Sequence, residues 1–303
     1  WASLLPTLAA GGTSVVMPGF RAEEFWDAAA RHEAKLTLLV PTQYAMLLES
    51  EPPAGFDRIE CPIIGGAKAD RALIERLMSA TGGRLVEQLG STETEAICCL
   101  PSNAPREKWG SAGIPLAGVT VKVLGADDCE VPAGETGEIV VHSSSLMTGY
   151  HGWESDEAAF WNDSDSGRRY YRTCDMGTRD RDGYLWVRGR STDLIIAAGH
   201  NVYPSDIEAV LLQHPAVRRA AVVGAPSRVL GEVPIAFVEP AAPRLATESE
   251  LCSWLNARLS DKQRVYRVRL IDRMPINSSG KILKVKLHGL ARSAPRASPD
   301  SAG

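Results

Sequence analysis

The stretch Tyr171–Glu208, YRTCDMGTRDRDGYLWVRGRSTDLIIAAGHNVYPSDIE, decides how this chain is read. An isolated acid, Asp175, precedes a short strand signal, YLWVRG, which runs into Gly189 and Arg190. A second acid, Asp193, stands three residues further on. An apolar run, a glycine turn at Gly199–His200 and a helix start then follow. A carboxylate offers two acceptor oxygens and so suits paired donors such as a ribose diol. Taken singly, Asp175 is a solvated turn residue, Arg190 a surface cation and Asp193 a linker acid. Their order and spacing carry the information.

Working outward, the chain changes character on either side of this stretch. Residues 1–108 alternate helical and strand signals. Glu23 to His32 has helical spacing with Phe25, Trp26, Ala29 and Ala30 on one side. LTLLVP (Leu36 to Pro41) is a short apolar run, expected to be a parallel strand buried on both faces. CPIIGGA (Cys61 to Ala67) and RLVEQLG (Arg84 to Gly90) are further strands that end in glycine, with Asp70 as N-cap of an intervening helix. Strand ends of this kind are where open α/β sheets bind small molecules. From Trp109 to Arg190 short β runs separated by Gly, Asp and Pro predict a small barrel or antiparallel sheet. Beyond Asp193 comes a helix started by Ser205, then the strands RRAAVVGA and VPIAFVEP. A helix opened by the capping box TESE, the strand YRVRLI and a helix from Lys284 complete this part. The tail, SAPRASPDSAG, is of disordered composition.

The strongest local motif is GSTET, Gly90 to Thr94. Glycine lets backbone approach a phosphate, Thr92 offers a hydroxyl to a phosphate oxygen, and Glu93 supplies a hard oxygen for Mg2+. Gly65-Gly66-Ala67 forms a turn of small residues against which a flat ligand can lie. Lys281 stands in PINSSGKILK, on a Ser/Gly loop.

These motifs, in this order from Ala9 to about Leu290, resemble the adenylate-forming superfamily of acyl-CoA synthetases, luciferases and peptide-synthetase adenylation domains. The wording IIAAGHNVYPSDIE is similar to bacterial medium-chain or aromatic acid CoA ligases. The resemblance implies an α/β and α+β architecture. Residues 1–192 would be the C-terminal portion of the large AMP-binding domain (1–108 α/β, 109–192 a β-barrel-like subdomain). Residues 193–293 would be a small mobile lid and 294–303 a disordered tail. It implies nucleotide binding by Gly65, Gly66, Ala67, Leu89, Gly90, Ser91, Thr92, Asp175 and Arg190, with Leu89 standing where relatives carry an aromatic that stacks on adenine. Glu93 would hold Mg2+, and Lys281 would neutralise the repulsion between carboxylate and α-phosphate. Asp193 would be the hinge, and Gly199 and His200 would line the coenzyme A channel.

GSAGIP (Gly110 to Pro115) resembles the segment that closes the acyl pocket, whose apolar lining would include Tyr44, Leu89 and Cys98. The segment Gly134 to Gly152, ending in Gly-Tyr, resembles the family's structural β segment. Cys174 replaces the glycine of the family's Thr-Gly-Asp. The family's phosphate loop (Ser-Gly-Thr-Thr-Gly-x-Pro-Lys-Gly) is missing from the sequence, which starts at Trp1 without Met and reads as a fragment or processed product. The implied reaction joins a carboxylic acid to ATP, giving acyl-adenylate and pyrophosphate, and then to coenzyme A. Two alternatives stand beside it: a non-catalytic AMP-binding remnant, and an acyl-AMP ligase that loads a carrier protein.

The bulk composition agrees with an ordinary globular chain. At 303 residues it has room for about two domains, and 44% hydrophobic residues suffice for a sizeable core. A net charge of −4 gives no electrostatic footprint for nucleic acid. Six cysteines without C-x-x-C spacing read as reduced thiols of a cytoplasmic protein. No apolar run reaches the ~18–20 residues that a membrane span needs. Arg264, Arg267 and Arg269 alternate along the YRVRLI region and could attract coenzyme A phosphates or form a solvated face.

Overall fold

The structure, a computed structural model, describes residues 3–50, 55–69, 71–152, 156–227, 229–277 and 281–292. Asp70 and the tail lie outside the described residues. The chain divides into two compact units, Trp1–Val187 and Arg188–Gly303.

The first unit opens with α1 (Leu4–Ala9) and α2 (Ala22–Arg31), where Phe25 and Trp26 are buried as the helical spacing requires. Two strand–helix–strand crossovers follow: β1 (Leu36–Leu39), α3 (Pro41–Glu49), β2 (Cys61–Gly65), α4 (Arg71–Ala80) and β3 (Val86–Ser91). The three strands are parallel, β1 beside β2 beside β3. Antiparallel β4 (Glu95–Leu100) and β5 (Ile114–Pro115) extend the same sheet. β1 is not buried on both faces as its apolar run suggested. It is the outer strand, and Leu36 is exposed.

The rest of the unit is the antiparallel form of the two expected for this region. β6 (Thr120–Leu124), β7 (Thr136–His142), β8 (Phe160–Asn162), β9 (Arg169–Arg179) and β10 (Leu185–Arg190) make an open sheet of order β10-β9-β7-β6, with β8 on β9. The strands follow an open path rather than a closed barrel. Both sheets contribute to one core, in which Ile97 and Cys98 of β4 meet Val121, Val123, Ile139, Val141 and Leu185.

One acid in this unit sits against apolar walls. Glu87 of β3 borders a small cavity with Ile74, Met78, Leu85, Leu100, Pro101 and Trp109, and its Oε2 is buried with no hydrogen-bond partner among the described residues. Burial pushes its carboxyl up to about 7, and the Lys68 charge opposes this only in part. A raised folded pKa means that the folded state holds the proton more tightly. The stabilisation is complete below the ordinary carboxylate range and is lost as pH rises to about 7. Glu87→Gln should therefore flatten a stability loss on the order of 2 kcal/mol between pH 5 and pH 8, read from urea midpoints at the two pH values.

In the second unit, β11 (Ile195–Ala197) and β12 (His200–Val202) form a hairpin across the Gly199 turn. α5 (Pro204–Leu211) follows, then the long antiparallel pair β13 (Val217–Ser227) and β14 (Gly231–Pro240). Next come α6 (Glu248–Asn256), β15 (Arg267–Leu270) parallel to β14, and α7 (Lys284–Arg292). The RRAAVVGA run is apolar at successive positions because helices cover both faces of its strand. Ala220 and Val222 pack with Ile207, Leu211, Leu251 and Leu255 of α5 and α6. Ala221, Val223 and Ala225 pack with Leu287 and Ala291 of α7. Thr247 caps α6, accepting from the Glu250 N–H while the Glu250 carboxylate accepts from the Thr247 N–H. Ser205 does not start α5. Tyr203 holds the cap position, with Pro204 supplying its fixed φ at the first turn, and the Ser205 hydroxyl instead donates to the Arg188 carbonyl.

Candidate functional site

β3 leaves the sheet at its carboxyl end and returns at once as β4, so GSTET is the tip of a hairpin rather than the start of a helix. A register shift between Leu89 and Gly90 bends the tip. No other residue fits at Gly90, because a Cβ there would lie 2.2 Å from the Glu95 carbonyl oxygen. Thr94 is fully buried and knits the turn. Its Oγ1 accepts from the Ser91 N–H at 3.2 Å and donates to the Glu95 carbonyl at 3.0 Å. With Thr94 occupied inside, Thr92 is exposed and Glu93 is half-buried. Leu89 packs partly into the core shared by the two sheets.

Gly65 ends β2 directly beside Gln88 of β3, with Gly66, Ala67 and Lys68 exposed beyond it. The two predicted ligand loops therefore lie at the same carboxyl edge of neighbouring parallel strands. Tyr44 and Cys98 are buried. Both are core residues, with the Tyr44 hydroxyl 2.9 Å from Thr37 Oγ1 and Cys98 fully buried in the core shared by the two sheets.

Asp175 sits on a bulge of β9. Opposite β7, the pairs Glu138–Met176 and Val140–Arg172 show that β9 carries extra residues between them. Thr173 pins the bulge by donating to the Ile139 carbonyl at 2.8 Å and accepting from the Asp175 N–H at 3.1 Å. Cys174 stands at φ 58, in the left-handed region that glycine occupies without cost. Cys174→Gly should raise stability by about 0.5–1 kcal/mol. The left-handed penalty of ~1–2 kcal/mol for an L-residue outweighs glycine's added unfolded-state freedom. A shift of the urea midpoint to higher concentration checks it.

The hairpin tip and β9 are joined by a contact that the sequence did not announce. The Tyr150 hydroxyl donates to Glu93 Oε1 at 3.0 Å and lies 3.0 Å from the Tyr171 hydroxyl of β9. Burial, above all, raises both phenols above their ordinary range, so both carry their protons. The segment Gly134 to Gly152, read from sequence as purely structural, thus reaches the predicted metal ligand. Among the described residues no group of three or more His, Cys, Asp or Glu forms a metal cage. A Mg2+ ion held through one carboxylate and substrate phosphates needs none, and the hard carboxylate oxygens of Glu93 fit it.

The remaining predicted residues belong to the second unit. Arg190 ends β10 and is exposed. Asp193 closes a short 3-10 turn, 3.7 Å from the Lys284 ammonium, which also meets Glu208 at 2.8 Å. His200 is exposed at the start of β12, after Gly199. Lys281 is exposed. Asn277 clasps it, its Oδ1 accepting from the Lys281 N–H at 2.8 Å and its own N–H donating to the Lys281 carbonyl at 2.9 Å. Of the three arginines, Arg267 and Arg269 lie on β15 and Arg264 before it. Arg269 donates to the Leu290 carbonyl, so it serves the packing of α7.

Family models for AMP-binding enzymes match residues 1–151, and for their C-terminal domain residues 206–281. The chain belongs to the AMP-binding enzyme family. Among its relatives, the indoleacetate–CoA ligase of Aromatoleum aromaticum is 34% identical over 283 residues, 92% of this chain and 54% of the relative. The fatty acid–[acyl-carrier-protein] ligase ScoC of Streptomyces coeruleorubidus is 34% identical over 286 residues, 92% of this chain and 54% of its own length. The O-succinylbenzoate coenzyme A synthetase of Bacillus subtilis, solved with ATP and magnesium ion, matches with a TM-score of 0.82 at 33% identity, over 94% of this chain and 58% of that one. This AMP-binding chain spans about half the length of the curated relatives it matches. Its six cysteines are all free, and among the described residues no helix is long and apolar enough to cross a membrane.

Proposed function

We propose that this chain serves an AMP-forming acid–thiol ligase, which activates a carboxylic acid with ATP to an acyl-adenylate and passes the acyl group to coenzyme A. The observation that carries this is the hairpin tip at the sheet's carboxyl edge, with Thr92 exposed and Glu93 beside it, next to the Gly65–Ala67 turn. In this reading Thr92 and the Gly90–Ser91 backbone meet phosphate, and Leu89 with Gly65–Ala67 flanks the adenine. Asp175 and Arg190 hold the ribose, and Glu93 holds Mg2+. Mg2+ supplies charge neutralisation at the phosphates. Asp193 is the hinge residue, Lys281 serves the first half-reaction and Gly199–His200 the second. The acid is medium-chain or aromatic, in keeping with the indoleacetate ligase among the relatives.

A second reading rests on the likeness to the acyl-carrier-protein ligase, and differs only in the acceptor thiol. ATP–pyrophosphate exchange over a panel of aromatic and aliphatic acids tests the activation step. Offering coenzyme A and a phosphopantetheinylated carrier protein in parallel then separates the acceptors. AMP binding without exchange for any acid would leave only the non-catalytic AMP-binding module.

A further inference from the structure

A carboxylate at the tip of a hairpin has rotamer freedom, whereas a metal ligand must present its oxygen in one direction. In this chain the restraint comes from a segment remote in sequence. Met147 N–H donates to the Glu93 carbonyl at 2.9 Å, and the Ser145 hydroxyl donates to the Thr94 carbonyl at 3.4 Å. The 145–150 segment is thereby laid along the turn. Tyr150 is anchored in its own right, its N–H donating to Asp156 Oδ2 at 3.1 Å. At Gly149 a Cβ would meet that same Asp156 oxygen at 2.5 Å, so glycine lets the loop close down there.

The direction of the phenol chain follows from counting protons. An ionised carboxylate only accepts, and each tyrosine has a single O–H. Tyr150 therefore spends its proton on Glu93 Oε1, and Tyr171 must donate to Tyr150. Tyr171 is held in β9 by its buried ring, packed edge-on to Phe160 at 5.8 Å. The chain runs from the rigid sheet through two phenols to one oxygen of the predicted metal ligand. We infer that Tyr150, backed by Tyr171, is a positioning residue that fixes the Glu93 carboxylate for the Mg2+–nucleotide complex. This rests on the reading of Glu93 as the Mg2+ ligand.

Calorimetric titration of the full chain with ATP, with and without Mg2+, and with AMP alone tests it on wild type, Tyr150→Phe, Tyr171→Phe and Glu93→Gln. Mn2+ electron paramagnetic resonance of the ATP complex supplies a spectroscopic readout. Tyr150→Phe is expected to weaken Mg2+–ATP binding about tenfold and to alter the Mn2+ spectrum, with AMP affinity unchanged. Tyr171→Phe should show a smaller effect in the same direction, because Tyr150 keeps its own bond to Glu93. A wild type with Mg2+-dependent ATP affinity, matched by Tyr150→Phe, overturns the positioning role and leaves Glu93 standing. Equal loss of AMP and Mg2+–ATP affinity in Tyr150→Phe overturns it too, by marking the residue as structural. A wild type indifferent to Mg2+ removes Glu93 as metal ligand and this inference with it.

Discussion

Lys281→Ala is expected to lower acyl-adenylate formation by about 100- to 1000-fold while thioester formation from supplied acyl-AMP proceeds as in wild type. The magnitude is that of losing one preorganised electrostatic contact to the transition state, ~3–4 kcal/mol. The split between the two steps follows from charge. Adenylation brings a carboxylate against the α-phosphate, two anions that repel, whereas thiol attack on the finished adenylate needs no such neutralisation. In the proposed reading Lys281 serves the first task. It is exposed, forms no ion pair among the described residues, and is held only through its backbone by Asn277. Lys284, three residues on, is the contrast: its ammonium is half-buried between Asp193 and Glu208. The measurement pairs ATP–pyrophosphate exchange with single-turnover transfer from synthetic acyl-AMP. Equal loss of both would make Lys281 a structural residue.

That contrast also shows how unevenly the sequence discloses the site. What is local was legible. GSTET follows a strand because an apolar run precedes it, TESE caps a helix by residues three apart, and the Val/Ala runs of β13 and β14 announce strands. What depends on pairing was not. The Asp175 bulge exists only because β9 has more residues than the β7 segment it faces, and neither strand records that alone. The Tyr150–Glu93 bond joins positions 57 apart, so a tyrosine at the end of a β segment read as scaffold. Tyr44 and Cys98 are both buried in core clusters. Apolar side chains that pack a core and those that line a pocket are the same residues, and only the fold separates them.

The largest stability effect is expected in GSAGIP, where two glycines of one motif differ sharply. Both Gly110 and Gly113 have positive φ, at 89 and 81. Each alanine substitution therefore carries the left-handed penalty of ~1–2 kcal/mol. Around Gly110 a Cβ would meet nothing within 4 Å, so Gly110→Ala should cost about that penalty and no more. At Gly113 the Cβ would lie 2.0 Å from the Cys99 carbonyl oxygen and 2.2 Å from the Leu100 nitrogen. Those are backbone atoms of β4, which pairs with β5 at Cys99–Ile114, so neither partner can give way without opening the sheet edge. Gly113 is locked further by its carbonyl, which accepts from the Leu185 N–H at 2.8 Å. Overpacking against backbone adds ~1–3 kcal/mol, so Gly113→Ala should cost on the order of 4 kcal/mol in all, a large share of a domain's total stability. Urea unfolding followed by tryptophan fluorescence, which reports Trp109 beside the motif and Trp186 on β10, measures both variants. Equal losses at the two positions would mean that the β4–β5 edge yields to a methyl group, and that the close approach of these two backbones is not what holds this edge together.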